Sequence, residues 1–308
     1  EGDNILALQY GIIDVKRDNV PLAQYLGDKT KLATFRAPNT IYYPFGCNAS
    51  QKKAVENALT NQVSIIQGPP GTGKTQTILN IIANLLLAKK SVLVVSNNNS
   101  AVENVAEKLE GEGLGFLVAK LGSVENKELF IANQKEYPQM DDWRIEDTNS
   151  IKQQVKQALR DVSLGFEGQS KFALLKTELD ALHKETKYDQ MHHDVADEHK
   201  WLFDKHSKKL MLFRLQYGIL TEKWQKFSLL QILKWSFALG LKVHKFLKAK
   251  PETIINVLET AYYVSRKREI ENELCTIETS LKTIDIQRRG KELRQLSLKA
   301  LKSTIAKR

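Results

Sequence analysis

The stretch NQVSIIQGPPGTGKTQTILNIIANLLL, residues 61–87, constrains the fold more than any other part of the chain. Its centre, Gly68-Pro69-Pro70-Gly71-Thr72-Gly73-Lys74-Thr75, satisfies GxxxxGK[ST]. Glycines at these positions let the backbone curl until successive N–H groups converge on one point, and a helix that starts there adds the positive end of its dipole. A phosphate group suits that point. Lys74 is then placed to reach β- and γ-phosphates, and the Thr75 hydroxyl to ligate Mg²⁺, so these two are the candidate catalytic residues. Gly68, Pro69, Pro70, Gly71, Thr72 and Gly73, with Lys74, Thr75 and Gln76, form the candidate site for the expected cofactors, ATP and Mg²⁺. The flanks agree with the loop. Residues 63–67 are a short apolar run suited to a buried parallel strand, and Ile78, Ile81, Ile82, Leu85 and Leu86 recur afterwards at helical spacing.

Around this core the chain reads in three segments, 1–46, 47–147 and 148–308. The first alternates apolar runs such as NILALQYGIIDV with Pro and Gly punctuation, which predicts short strands and loops. In the second, Ser50 is placed to cap a helix whose Ala54, Val55, Ala58 and Leu59 share a face. Residues 91–96 (SVLVVS) predict a second buried strand and residues 101–109 a further helix. Strand, loop, helix, strand and helix in this order predict the opening of an α/β fold with an open parallel sheet. From about Asn149 the pattern turns helical. Phe172, Leu175, Leu179 and Leu182, and later Ile270, Leu274, Ile277, Leu281 and Ile284, step by three and four, as in short heptad runs. Two arms, about 148–205 and 251–308, flank a middle rich in aromatic residues, among them Trp224 and Trp235. This predicts an antiparallel coiled-coil hairpin with a small helical tip, its returning arm started by Pro251. A compact helical bundle is the alternative, because the heptads slip near Glu185 and Gln287.

Charge divides the chain unevenly. Residues 1–150 hold 15 Lys and Arg against 17 Asp and Glu, and residues 151–308 hold 31 against 19, so the basic character belongs to the second half. An anionic partner such as nucleic acid suits it, and so does a solvated helical surface. The last arm concentrates Arg288, Arg289, Lys291, Arg294, Lys299, Lys302, Lys307 and Arg308 against Glu292 alone. Two distant cysteines, Cys47 and Cys275, suggest neither a disulfide framework nor a zinc site, which makes a reducing, cytoplasmic compartment the default. The longest apolar-leaning run, residues 228–241, contains Lys234 and is too short for a bilayer, so no membrane partner is expected. His192-His193 suits a helix surface better than a metal site. The chain begins without Met and shows no leader, as an excised or processed piece would.

The loop alone does not choose a family, but its neighbours narrow the choice. Asn48-Ala49-Ser50-Gln51 precedes it, and VLVVSNNNSAVENVAEKL follows at once. Over about residues 47–123 this order resembles the superfamily 1 helicases of the nonsense-mediated-decay type, with N-x-S-Q, then IQGPPGTGKT, then a strand ending in a motif like APSNxAVD. The resemblance implies a RecA-like P-loop motor domain that acts as an ATP-dependent helicase on single-stranded DNA or RNA. It makes Gln51 the residue that recognises the adenine edge, and it places Ser96, Asn97, Asn98 and Asn99 on the single-strand track. Asn97 and Asn98 depart from the family's Pro and Ser, while Asn99, Ala101 and Val102 match. By the same resemblance, residues 148–308 correspond to a helical insertion in the first motor domain that contacts nucleic acid or a protein partner.

A P-loop ATPase also needs a carboxylate at the end of a buried strand to hold Mg²⁺. Neither Asp141-Asp142 nor Asp197-Glu198 stands in such a place, and no arginine-finger motif or second motor domain follows. The expectation is therefore an N-terminal part of a larger motor that binds nucleotide weakly and does not turn it over at a motor's rate. Two other classes stay open. One is a P-loop ATPase with a coiled-coil arm of the chromosome-maintenance or ABC type, whose loop more often reads GxNGSGKS. The other is a partner-binding module with a residual nucleotide site.

Overall fold

The computed structural model describes residues 23–24, 32–121, 124–132, 137–192 and 195–307. In chain order its helices are α1 (Ala49–Thr60), α2 (Lys74–Leu87), α3 (Asn99–Gly111), α4 (Val124–Ala132), α5 (Thr148–His192), α6 (Ser207–Glu222), α7 (Leu229–Leu239), α8 (Val243–Phe246), α9 (Pro251–Ile284) and α10 (Ile286–Ala306). Short 3-10 turns occur at Gly115–Leu117, Asp141–Trp143 and Asp197–Leu202. The chain divides into two compact units, Glu1–Phe166 with Ile286–Arg308, and Glu167–Asp285. Most of the strands expected before residue 46, together with His193 and Arg308, lie outside the described residues.

The expected parallel sheet does not form. Among the described residues there is no strand, only an isolated antiparallel bridge between Thr34 and Asn61. The segments 63–67 and 91–96 run without ladder partners, and Ile65, Leu93 and Val95 stand 76%, 85% and 79% exposed. A five-residue apolar run is compatible with a buried strand but carries no information about neighbours, and a parallel strand needs partners on its edges and cover on both faces. In the first unit helices supply the cover instead. Leu79, Ile82 and Ala83 of α2, Val105 and Leu109 of α3, and Leu114 close on Leu301 and Ile305 of α10. Helix α2 behind the P-loop is thus packed against helices with no sheet beside it, which overturns the reading of a RecA-like α/β sheet.

A second cluster in this unit joins the approach to α1 with α5 and α10. Ile41, Tyr43 and Val55 pack with Val155, Ala158 and Val162 of α5 and Leu293 of α10. Residues 42–46 have no strand beside them and turn at Pro44-Phe45, where Gly46 N–H donates to Tyr43 O at 2.9 Å, and the rest of their backbone is satisfied by side chains. One row of amide side chains on α2 does this. Asn84 accepts from Tyr42 N (2.9 Å) and donates to Tyr42 O (2.7 Å), while Asn80 accepts from Phe45 N (3.1 Å) and donates to Gly46 O (2.7 Å). One turn earlier, Gln76 donates to Phe45 O. The spacing i, i+4, i+8 puts all three on one helical face. Because these amides look inward, the buried apolar face of α2 is Leu79, Ile82 and Ala83, and Ile78 is left exposed.

The cap of α1 also differs from expectation. Asn48, not Ser50, is the N-cap, because its side chain accepts from Gln51 N (2.9 Å) while Gln51 Oε1 accepts from Asn48 N (2.9 Å). This reciprocal pair satisfies two orphan donors at once. Ser50 donates to the Asn48 carbonyl oxygen of the side chain at 2.8 Å.

The second unit holds the rest of α5 and all of α6 to α9. Leu175, Leu179 and Leu182 of α5 pack with Tyr263, Ile270, Leu274 and Ile277 of α9. Glu178 takes a bidentate pair from Arg266 at 2.7 and 2.9 Å, and Lys171 pairs with Glu273. Partner numbers fall as α5 advances, so these stretches are antiparallel. Pro251 starts α9 at its first turn, and Asp285 ends it in the left-handed region with φ 44°. The remaining helices enclose Leu202, Leu210, Phe213, Trp235, Leu239, Val243 and Phe246. The two tryptophans singled out by sequence have opposite fates. Trp235 is buried and donates its indole N–H to Gln216 at 2.8 Å, whereas Trp224 is 96% exposed. No helix among the described residues is long and apolar enough to cross a membrane.

Candidate nucleotide site

The glycine loop is shaped by two left-handed residues. Gly71 has φ 84° and Gly73, the N-cap of α2, has φ 80°, a region that favours glycine. Space is limiting at Gly73 as well, since a Cβ there would stand 2.1 Å from Gln51 Nε2. At Gly68 a Cβ would meet the Thr72 hydroxyl at 2.6 Å. The loop is braced internally by Thr72, whose N–H and hydroxyl both donate to Pro69 O. Lys74 folds back over the loop, donating to Gly68 O and to Pro69 O.

In front of the loop lies a cleft of about 650 Å³. Pro69, Pro70, Gly71, Gly73, Lys74, Thr75 and Gln76 line it, so the structure brings most of the expected cofactor-binding residues to one surface. Gln51 stands elsewhere. It is buried behind the loop, and its Nε2 donates to Thr72 O (3.3 Å), Gly73 O (3.2 Å) and Gln76 Oε1 (3.1 Å). The loop residues fit an anionic triphosphate: two glycines open the backbone at the start of a 14-residue helix, and a lysine sits at its first position. Fit to Mg²⁺ is thinner. Thr75 offers a hydroxyl, and no group of three or more acids, histidines or cysteines placed to hold a metal occurs among the described residues.

Ser96, Asn97, Asn98 and Asn99 are all exposed at the start of α3. Asn98 is the N-cap: its side chain accepts from Ser100 N at 3.0 Å, and its own N–H donates to Ser96 Oγ at 3.1 Å. Ser96 and Asn98 are thus spent on the capping turn, and the flanking Asn97 and Asn99 side chains make no hydrogen bond among the described residues.

Sequence reasoning did not place at the cleft Phe45, Asn104, Lys108 and Glu112, which also line it, or Arg294 of α10, which it named only as one of the basic residues of the last arm. Arg294 Nη2 donates to Glu112 Oε1 at 2.7 Å. A signal for it exists in α10, where Leu293, Ser297, Leu301 and Ile305 mark the buried face and Arg294 adjoins it. Other basic residues of this arm are also engaged. Arg289 pairs with Asp161 and Glu292, and Lys302 lies 5.0 Å from the Trp143 ring centroid.

Comparison with known proteins shows which family the sequence matches. A protein family described as AAA domain matches residues 46–296. DNA polymerase alpha-associated DNA helicase A of Schizosaccharomyces pombe is 38% identical over 109 residues, which is 35% of this chain and 15% of that protein. Regulator of nonsense transcripts 1 of Caenorhabditis elegans is 47% identical over 68 residues, 22% of this chain and 6% of that protein. DNA-binding protein SMUBP-2 of Mesocricetus auratus is 39% identical over 85 residues, 27% of this chain and 9% of that protein. The chain therefore spans only a small share of these relatives' length, and no solved structure matches it. With the family matched over most of the chain and the loop built as its sequence requires, the chain belongs to the AAA domain family, among superfamily 1 helicases of the nonsense-mediated-decay type.

Proposed function

We propose that this chain is the ATP-binding part of a DNA or RNA helicase or translocase, with ATP and Mg²⁺ as cofactors and single-stranded nucleic acid as partner. The observation that carries the reading is the loop at the head of α2, open at Gly71 and Gly73 and lined on its cleft side by Lys74 and Thr75. ATP, when bound, supplies the phosphoanhydride whose cleavage powers movement. The backbone N–H groups of the loop and the α2 dipole hold the phosphates. Lys74 exchanges the Gly68 and Pro69 carbonyls for phosphate oxygens, a stronger partner for an ammonium group. The Thr75 hydroxyl would serve as the protein's ligand to Mg²⁺, and Gln51 would reach the adenine edge only by releasing its bonds to Thr72 O, Gly73 O and Gln76 Oε1. Asn97 and Asn99 donate to the nucleic-acid backbone beside the turn that Ser96 and Asn98 close. The helical insertion, residues 148–308, contacts nucleic acid or a protein partner.

Hydrolysis at a motor's rate is not expected of this chain, because among the described residues no carboxylate stands at the end of a buried strand to position Mg²⁺ and water. Titration with a fluorescent ATP analogue should show saturable binding that Lys74→Ala abolishes, together with negligible turnover. Fast, Lys74-dependent turnover by the chain alone would contradict the missing-carboxylate argument. Binding that ignores Lys74→Ala would contradict the site itself. Anisotropy of labelled single-stranded DNA and RNA, with Asn97→Ala and Asn99→Ala as controls, identifies the track.

A further inference from the structure

The cleft in front of the glycine loop is flanked by two cations besides Lys74, namely Lys108 of α3 and Arg294 of α10. Among the described residues one carboxylate lines it, Glu112, and Arg294 is paired with that carboxylate at 2.7 Å. Glu112 is held in place as the C-cap of α3, with its side chain 21% exposed. The backbone under Arg294 is fixed too. Leu293 is buried against Val55 and Tyr43, and Ser297 Oγ accepts from Tyr43 N at 3.0 Å. Only the guanidinium end, on a side chain 53% exposed, is at liberty to change partner.

A guanidinium carries five N–H donors in a planar fork, and the bond to Glu112 uses one of its nitrogens. A terminal phosphate offers more negative charge than a carboxylate and three acceptor oxygens, which suit a bidentate arginine. Resting on the nucleotide-binding reading above, we propose that Arg294 is a second phosphate-binding residue of this site. It is latched to Glu112 until the terminal phosphate of a nucleoside triphosphate draws it away. A diphosphate held by the same loop ends one phosphate short and leaves the latch closed. The exchange gives the site preference for triphosphate over diphosphate, and it carries the presence of the third phosphate into α10. Lys108 does not fill this role as well, being a point charge on the exposed face of the last turn of α3.

The test is equilibrium binding of fluorescent ATP and ADP analogues to the full chain, in parallel for wild type, Arg294→Ala, Arg294→Lys, Glu112→Gln and Lys74→Ala. Loss of one charge-assisted contact should weaken triphosphate binding about tenfold in Arg294→Ala while diphosphate affinity stays within about twofold. Arg294→Lys, which keeps the charge and loses the fork, should fall between. Glu112→Gln, which opens the latch, should tighten the triphosphate several-fold and leave the diphosphate unchanged. Equal weakening of both nucleotides in Arg294→Ala would reduce Arg294 to support for the cleft and overturn the proposal, as would no effect on either. If Lys74→Ala leaves binding untouched or wild type binds neither analogue, the nucleotide site fails and the latch with it. That result is distinct from a Lys74-dependent site indifferent to Arg294.

Discussion

Replacing Asn80 by leucine tests the row of amides on α2 that holds residues 42–46. The substitution keeps the side chain's branched shape, with somewhat more volume, and removes its polar atoms. Phe45 N–H then loses its acceptor and Gly46 C=O its donor, which are bonds of 3.1 and 2.7 Å in the native chain. Each orphaned backbone group costs about 1–3 kcal/mol. Phe45 and Gly46 are half-buried, so water reaches them in part and the cost falls near the low end for each. Added apolar burial at a fully enclosed position returns about 1 kcal/mol. The net expectation is destabilisation of the first unit by about 1 kcal/mol, close to a fivefold change in its folding equilibrium. Urea unfolding followed by circular dichroism gives that number. Hydrogen exchange at the Phe45 amide supplies the local reading and should accelerate by more than the global change alone explains. A shift below about 0.5 kcal/mol with unchanged Phe45 exchange would show that these amides are incidental, and the reasoning would be wrong.

Three further outcomes follow from the structure. Gly73→Ala should abolish binding of an ATP analogue and lower the melting temperature, because the new Cβ meets Gln51 Nε2 at 2.1 Å and φ 80° is unfavourable for alanine; unchanged binding would show that the loop does not need this conformation. Burial pushes the Cys47 thiol up to about 12, so Cys47 should resist alkylation near neutral pH while exposed Cys275 reacts at once, and two fast thiols per chain in a colorimetric titration would contradict the packing around Cys47. At Glu269 the upward push of burial is outweighed by the Ser207 hydroxyl and N–H, which donate at 2.6 and 2.8 Å, by His206 and by Arg266, and the carboxyl is held below its ordinary value. Its stabilising contribution is then present above the ordinary glutamate value of about 4.3 and lost as pH falls through the lowered one. The stability gap between wild type and Glu269→Gln should be full at neutral pH and close in acid, and a gap independent of pH would count against the ionised contact.

The phosphate loop was legible because everything that shapes it is local: two glycines that must take positive φ, a lysine, and a helix with inward-facing residues directly behind. Asn48 and Gln51 were legible as a pair worth notice. Their reciprocal cap was missed because Ser50, equally good by residue type, stands between them. Residues 63–67 and 91–96 were misread for a different reason. Whether an apolar run becomes a strand is decided by what lies beside it, and here helix α10 covers α2 instead. Trp224 and Trp235 make the same point, since identical residue types eleven positions apart end exposed and buried. Arg294 showed only that it adjoins the buried face of α10, not which surface that face would meet. It arrives at the cleft through Leu293 and Leu301, which fix the helix against residues far away in sequence.

Gln51 has three acceptors around an amide nitrogen that carries two hydrogens, and each distance exceeds 3.0 Å. The nitrogen is over-subscribed, so its bonds are shared and individually weak. Giving up one of them to a new acceptor would cost little, because the two that remain can shorten. Its carbonyl oxygen is committed elsewhere, to the first turn of α1. The side chain can therefore rotate its allegiance at one end while the other end stays clamped, and a molecule that draws on this nitrogen would slacken the glycine loop without unwinding the helix behind it.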